Sequence, residues 1–365
     1  MSFFFKKHLF RLLGISLVLL ALQSCNKEFE EIAPETPPPS NPAGPTLNEL
    51  INTDPSFSIL KAAIAKAGLG STLADADVRL TFFAPDNNAF IRSGIPSVEV
   101  IESNLVFDAA TLRSILNYHI LPQSVGAASI PTAFPNLQYP TLLNPAPQLS
   151  ALLRLTAFPS RRDNGVWVNN IPVTAPNVTA SNGVLHKVAA LVAPPTQSLY
   201  EIANADTTLT FLMAALARAD AGRSSIADTS LVEISKSIGA NLTLFAPTNQ
   251  AFREFLTAQG LPPSPAVFNA MPVNTVRGIL GYHTLTSRAF SVNMPAAPAF
   301  IPTFLNSVIP NHPGINVAAT FLGPLVTQLR VTGVGNRGVS SNATALDIHA
   351  TNGVIHKIDR VLLPQ

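Results

Sequence analysis

Thr81-Phe82-Phe83-Ala84-Pro85-Asp86-Asn87-Asn88-Ala89-Phe90 returns 162 residues later as Thr243-Leu244-Phe245-Ala246-Pro247-Thr248-Asn249-Gln250-Ala251-Phe252. Two further blocks keep the same order. Ile115-Leu116-Asn117-Tyr118-His119 returns as Ile279-Leu280-Gly281-Tyr282-His283, and Asn182-Gly183-Val184-Leu185-His186-Lys187-Val188 returns as Asn352-Gly353-Val354-Ile355-His356-Lys357-Ile358. The offsets of 162, 164 and 170 residues far exceed the roughly 20–50-residue period of a solenoid, so the chain is read as a duplicated domain.

Each copy has the same local grammar. Phe57, Leu60, Ile64 and Ala67, and in the second copy Leu209, Leu212, Met213 and Leu216, recur at helical spacing. The quoted block then reads as a buried strand, Leu80 to Ala84 or Leu242 to Ala246, stopped by a proline that cannot donate to a ladder. Asp86 or Thr248 offers an oxygen as helix N-cap, and Phe90 or Phe252 opens the buried face of the helix that follows. The second block ends another helix, Leu112 to His119 or Val276 to His283. The third predicts a hairpin with Asn-Gly in a type I′ turn, both residues at positive φ, leading into the strands Val184 to Leu191 and Val354 to Leu362.

A strand-Phe-Ala-Pro-turn-Ala-Phe block, a Tyr-His pair and a closing Asn-Gly-x-aliphatic-His-Lys block, twice in this order, resemble fasciclin (FAS1) domains over residues 46 to 365. The resemblance implies an α/β (α+β) fold: two tandem domains, 46–195 and 196–365, each a wedge of mostly antiparallel sheet with helices packed at one side. It also implies extracellular adhesion or matrix and polysaccharide association, with no catalytic activity common to the family. In some animal fasciclin domains the Tyr-His region is implicated in receptor binding. Carried over, it nominates Tyr118, His119, Tyr282 and His283 as a contact surface; the alternative is that both tyrosines complete the core beneath a helix end.

The N-terminus carries a different message. Lys6, Lys7 and Arg11 precede an apolar run, Leu12 to Leu22, too short for a bilayer span of about twenty residues. Leu22-Gln23-Ser24-Cys25 then looks like a bacterial lipobox, making 1–24 a lipoprotein signal and Cys25, the only cysteine among 365 residues, the lipid-attachment site. A lone cysteine excludes an intramolecular disulfide, a Cys-rich zinc site and a CxxC redox pair. Residues 25–45, acidic and then proline-rich, read as an acylated N-terminus and an extended tether. The expectation is an outer-membrane lipoprotein, displayed on the surface of a Gram-negative, Bacteroidota-like bacterium, with no transmembrane helix in the mature chain.

Charge excludes further classes. Only 12% of residues are charged and 47% are hydrophobic, which suits packed domains rather than a disordered polyelectrolyte. The formal charge of +2 comes from the signal; without residues 1–24, 20 Lys+Arg face 21 Asp+Glu. The nearest thing to a basic run, Arg161-Arg162, is followed by Asp163, so nucleic-acid binding has no footprint.

Candidate chemistry is sparse. His119, His186, His283 and His356 lie in repeated motifs without the spacing of a metal site, and read as structural groups satisfied by backbone. Gly333-Val334-Gly335-Asn336-Arg337-Gly338 matches a dinucleotide fingerprint but reads as a hairpin turn, because no helix start follows. Ser58-Ile59-Leu60-Lys61 lacks its companion motifs for acyl transfer, and no GxSxG elbow occurs. No catalytic residue, metal or cofactor is expected. Trp167 is a possible sugar-stacking contact or, alternatively, a buried side chain. The short Pro194-Pro195-Thr196 junction predicts a restrained pair of domains. Together these features describe a surface-anchored protein that binds an extracellular protein or polysaccharide non-covalently; the alternative is an envelope accessory protein holding a glycan or small ligand for uptake.

Overall fold

The structure, a computed structural model, describes residues 43–103, 107–132, 134–223 and 230–365. The signal, Cys25 and most of the tether lie outside these residues. In the first copy three helices, α1 (Leu47–Thr53), α2 (Ser58–Ala67) and α3 (Gly70–Ala74), precede strand β1 (Leu80–Pro85), and α4 (Asn87–Arg92), α5 (Val98–Glu102) and α6 (Ala109–Tyr118) follow it. Strands β2 (Ile120–Leu121), β3 (Tyr139–Pro140), β4 (Thr156–Ala157), β5 (Pro159–Arg162), β6 (Gly165–Val168), β7 (Ile171–Ala180) and β8 (Gly183–Val188) complete it. The second copy runs α7 (Leu199–Ala205), α8 (Thr210–Ala219), α9 (Leu231–Lys236), β9 (Leu242–Pro247), α10 (Asn249–Ala258) and α11 (Val273–Tyr282). It closes with β10 (Thr284–Leu285), β11 (Ala299–Ile301), β12 (Ile315–Leu322), β13 (Leu325–Thr332), β14 (Ser341–Ala350) and β15 (Gly353–Ile358).

The sheet orders are β2-β1-β8-β7-β6-β5 and β10-β9-β15-β14-β13-β12-β11. Both are antiparallel except at one place: β1 and β8, and likewise β9 and β15, run parallel, pairing Phe83 with His186 and Phe245 with His356. The central strand is buried on both faces, as its unbroken apolar run requires. Leu80, Phe82 and Ala84 face the helices, whereas Phe83 faces a second core with Tyr118, Leu121 and Val188. The two halves of the wedge share one long strand. β7 pairs with β6 through Ile171 and Pro172 and with β8 from Val173 onward, with register shifts near Asn177, a residue at φ 63°. Asp86 and Thr248 cap α4 and α10 as expected, accepting from the backbone of Ala89 and Ala251.

The hairpins form, but not through the expected turn. Ser181-Asn182 and Thr351-Asn352 make the connections, and the non-glycine residues with positive φ among the described residues do not include Asn182 or Asn352. The asparagines act through their side chains instead. Asn182 Oδ1 accepts from the N-terminal amide of α1 at Leu47 (2.9 Å), while its Nδ2 donates to the carbonyls of Leu73 (2.9 Å) and Asp75 (2.8 Å). Asn352 repeats this with Leu199 (2.9 Å) and Ser235 (2.8 Å). Glycine follows for a steric reason: a Cβ at Gly183 or Gly353 would collide with the carbonyl oxygen of Leu80 or Leu242. The closing strands also stop at Val188 and Ile358, short of the expected Leu191 and Leu362.

The copies are locked together through Trp167. Its ring has no solvent exposure and packs in one cluster with Phe158, Phe290 and Val354, and its Nε1–H donates to the Pro324 carbonyl at 2.9 Å. This removes Trp167 as a sugar-stacking platform; the side chain holds the two copies to each other. Beside it Arg288, 4% exposed, lies 4.5 Å from the Phe158 ring centroid. Arg288 donates to Asn241 Oδ1, His349 Nε2 and the Thr351 carbonyl, each at 2.9 Å. Burial lowers its pKa to about 10, so it stays charged at neutral pH. Replacing Trp167 by Ala should destabilise the chain by about 3–5 kcal/mol and loosen the pair. Denaturant unfolding together with small-angle scattering checks this; an unchanged midpoint with an unchanged radius of gyration would contradict the assignment.

Candidate functional site

Tyr118 and Tyr282 each occupy the last position of a helix, α6 and α11, and His119 and His283 are the C-cap residues. All four side chains have zero exposure. They therefore offer no contact surface: helix ends here point into the core. The Tyr118 hydroxyl donates to the Thr156 carbonyl (3.0 Å) and accepts from Asn169 (3.2 Å). Tyr282 donates to the Gly314 carbonyl (2.7 Å) and accepts from the Val334 amide (3.0 Å). Tyr118 also touches His349 of the second copy, ring centroids 6.3 Å apart, so the partner it meets is its own chain.

The four motif histidines are backbone bridges. His119 Nδ1–H donates to the Ile115 carbonyl (2.8 Å), and its Nε2 accepts from the Val192 amide (3.0 Å). His283 repeats this with Ile279 (2.8 Å) and Leu362 (2.9 Å). His186 and His356 use the opposite tautomer: Nε2–H donates to Val125 or Ala289 (2.9 Å each), and Nδ1 accepts from Asn177 (3.1 Å) or Asp347 (3.3 Å). Each ring must be neutral to accept on one nitrogen. Among the described residues no group of three His, Cys, Asp or Glu side chains could hold a metal ion. The lysine after each closing histidine is equally committed, Lys187 to Asp54 (2.8 Å) and Lys357 to Asp206.

Burial lowers the pKa of His119 and His283 to about 4 and depresses that of His186 and His356 as well. The unfolded chain protonates His119 and His283 below about pH 6.5, the folded one only near pH 4, so folding releases these two protons in between. Stability should be flat above pH 6.5, fall as pH drops from there to about 4, and lose on the order of 3 kcal/mol for each of His119 and His283. Asp54, held at about 2 by Lys187, acts only below that window. Urea denaturation at half-unit steps measures the curve, and constant stability from pH 7 to 4.5 would refute the neutral-bridge reading.

With the motif residues consumed, the groups left for a ligand lie elsewhere. A cavity of about 250 Å³ opens where the two copies meet, between Asn136, Ser160, Arg161 and Arg162 on one wall and Val292, Asn293 and Ile301 on the other. Its polar groups are under-used. Asn136 Nδ2 and Ser160 Oγ are buried without a hydrogen-bond partner, and Ser160 is 4% exposed. Such groups are rare in folded proteins and call for a ligand or water. Arg161 spends its Nε on the Ile130 carbonyl (3.1 Å), leaving its terminal amino groups without a protein acceptor among the described residues. Arg162 reaches across the junction, Nη1 donating to the carbonyls of Val292 (3.0 Å) and Met294 (2.8 Å), and burial lowers its pKa against the opposing pull of Asp163. The arrangement presents cationic and neutral donors beside an apolar wall, suited to an oxygen-rich, anionic ligand. The Arg161-Arg162 doublet, with Ser160 directly before it, is the trace of this cavity in the sequence, and nothing there brings Asn136 or the second copy's wall to it.

Two consecutive α+β modules, each sealed by the same Asn-Gly and His-Lys block, define a tandem-repeat binding scaffold. The fasciclin domain model matches residues 55–194 and 221–364, and the chain belongs to the fasciclin domain family. Transforming growth factor-beta-induced protein ig-h3 of Sus scrofa is 30% identical over 189 residues, covering 50% of this chain and 24% of that protein. Protein sll1483 of Synechocystis is 29% identical over 150 residues, 41% of this chain and 74% of its own length. Human periostin is 27% identical over 301 residues, 82% of this chain and 29% of periostin. The chain thus spans about a quarter of the length of ig-h3. Among solved structures, a FAS1 domain pair from the insect cell adhesion molecule Fasciclin I matches with a TM-score of 0.37 at 17% identity, over 87% of this chain and 95% of that one.

Proposed function

We propose that this chain is a surface-anchored adhesion protein that binds an acidic polysaccharide, of a matrix or a neighbouring cell, non-covalently in the cleft between its two copies. Membership of the fasciclin family supports an adhesion or binding role. The observation that carries the ligand class is the pairing of unpartnered Ser160 Oγ and Asn136 Nδ2 with two guanidinium groups. Hydrogen bonds to charged groups contribute about 1.5–3 kcal/mol each, and a uronate repeat supplies both carboxylates and hydroxyls. Calorimetric titration with alginate oligomers, against neutral dextran, tests the reading. Arg161→Gln should weaken alginate binding about tenfold or more without altering the fold, and dextran should bind weakly. Equal affinity of wild type and variant, or preference for dextran, would reject the cleft. Binding of soluble sugar without attachment to cells or matrix would favour the uptake role instead.

Display at the surface rests on Leu22-Gln23-Ser24-Cys25, which supports acylation of Cys25. Acyl chains contribute about 0.8 kcal/mol per buried CH₂, enough for stable anchoring when several are present. Among the described residues no helix is long and apolar enough to cross a membrane. Cys25→Ser should move the protein from the membrane to the soluble fraction, and membrane retention with an unchanged N-terminal mass would exclude the anchor.

A further inference from the structure

The copies share a frame but not a filling. Four positions that are 0–1% exposed in the first copy, Ile51, Leu73, Phe82 and Ile120, correspond to smaller residues in the second: Ala203, Ser235, Leu244 and Thr284. The equivalences come from geometry. Ile51 and Ala203 each stand five residues beyond a capping-box residue, Thr46 or Ser198. Leu73 and Ser235 are the residues whose carbonyls take the amide of Asn182 or Asn352. Phe82 pairs with Ile120 across β1 and β2 as Leu244 pairs with Thr284 across β9 and β10. All four replacements remove side-chain volume, and all four line one cavity of about 60 Å³, several times the space a single water needs.

The surroundings select an apolar guest. The remaining walls are Met213, Leu216, Leu231, Ile234, Leu280 and Phe304, with Tyr200 among the other lining residues. Helix α9, which replaces α3 here, has no buried residue, whereas α3 plugs the corresponding place with Leu73. Ser235 and Thr284 already donate within their own backbone, to Val232 (2.7 Å) and Leu280 (3.0 Å). Lys236 Nζ stands 4.8 Å from the Tyr200 ring centroid and is paired with Glu233 at 3.1 Å. A largely apolar slot with a charged group near one lining ring matches a linear chain with a polar head.

We propose that the second copy binds the end of a linear alkyl chain in this cavity, and that the first copy, filled by Ile51, Leu73, Phe82 and Ile120, does not. The reading is independent of the cleft. It predicts that octanoate, standing for a free fatty acid, or dihexanoylphosphatidylcholine below its micelle concentration, standing for a lipid acyl chain, shifts the methyl resonance of Met213 saturably. The test titrates the full chain carrying ¹³C-methyl methionine; of its 4 methionines, buried Met294 belongs to a different core and should not move. Whichever compound binds more tightly identifies the source of the chain. Restoring the first copy's residues with Ala203→Ile and Ser235→Leu should weaken binding at least tenfold, as should the single change Leu244→Phe if the double variant folds poorly. No saturable shift with either compound, or shifts of equal size in a folded filled variant, would overturn the proposal.

Discussion

The parallel contact of the first and last strands of each copy is the constraint on which the rest depends. A parallel pair cannot be closed by a tight turn, so everything between β1 and β8 must leave the sheet and return to it. What allows the two strands to approach is the absence of a side chain at Gly183 and Gly353, where any Cβ would meet the carbonyl of the partner strand. Once seated, the strand brings His186 or His356 against Phe83 or Phe245, ring centroids 5.5 and 5.6 Å apart, and draws in the loop carbonyls of Val125 and Ala289. Neighbouring asparagines tie down the first helix. One short block thus bridges the helical layer, the sheet and the loop beyond it.

That economy explains why repeated motifs mislead as guides to a binding surface. Tyr, His and Asn recur in both copies because each satisfies backbone groups that the fold would otherwise bury unpaired, and the recurring Lys pairs with the carboxylate of Asp54 or Asp206. The groups left over are unique to one copy. Arg162 and Trp167, on β5 and β6 of the first copy, meet Val292, Met294, Phe290 and Pro324 of the second, and Ser160 and Arg161 line the cavity beside them. The cavity at the junction is lined by one wall from each copy, so neither repeat forms it alone.

Much of the frame was legible in the sequence. The buried Leu80 to Ala84 strand and the Asp86 and Thr248 caps follow from periodicity and chemistry that act within a few residues, whereas the duplication and the structural role of the histidines are legible from the repetition of whole motifs. The turn at Asn182 departs from the local Asn-Gly pattern because its deciding partners, Leu47 and Leu73, lie more than 100 residues away in the chain. The same holds for Trp167, whose burial depends on the other copy, and for Ser160 and Asn136, whose unsatisfied atoms become visible only once the two walls are brought together. Distance along the chain, rather than weakness of the local signal, sets the limit.

The two copies differ most in how their helical cores are filled. A duplicated core begins with every position under the same packing demand, and removing a buried aliphatic group from one copy costs about 1 kcal/mol or more per methylene-sized void. Four reductions around one slot in the second copy therefore run against stability unless something else occupies or requires the space. The first copy shows that the frame accepts the larger residues, with Ile51, Leu73, Phe82 and Ile120 all enclosed. The second keeps the same caps, the same asparagine tie and the same strand pairing around the smaller set. Stability is thus secured by the shared frame, and the filling of the helical core is left free to diverge.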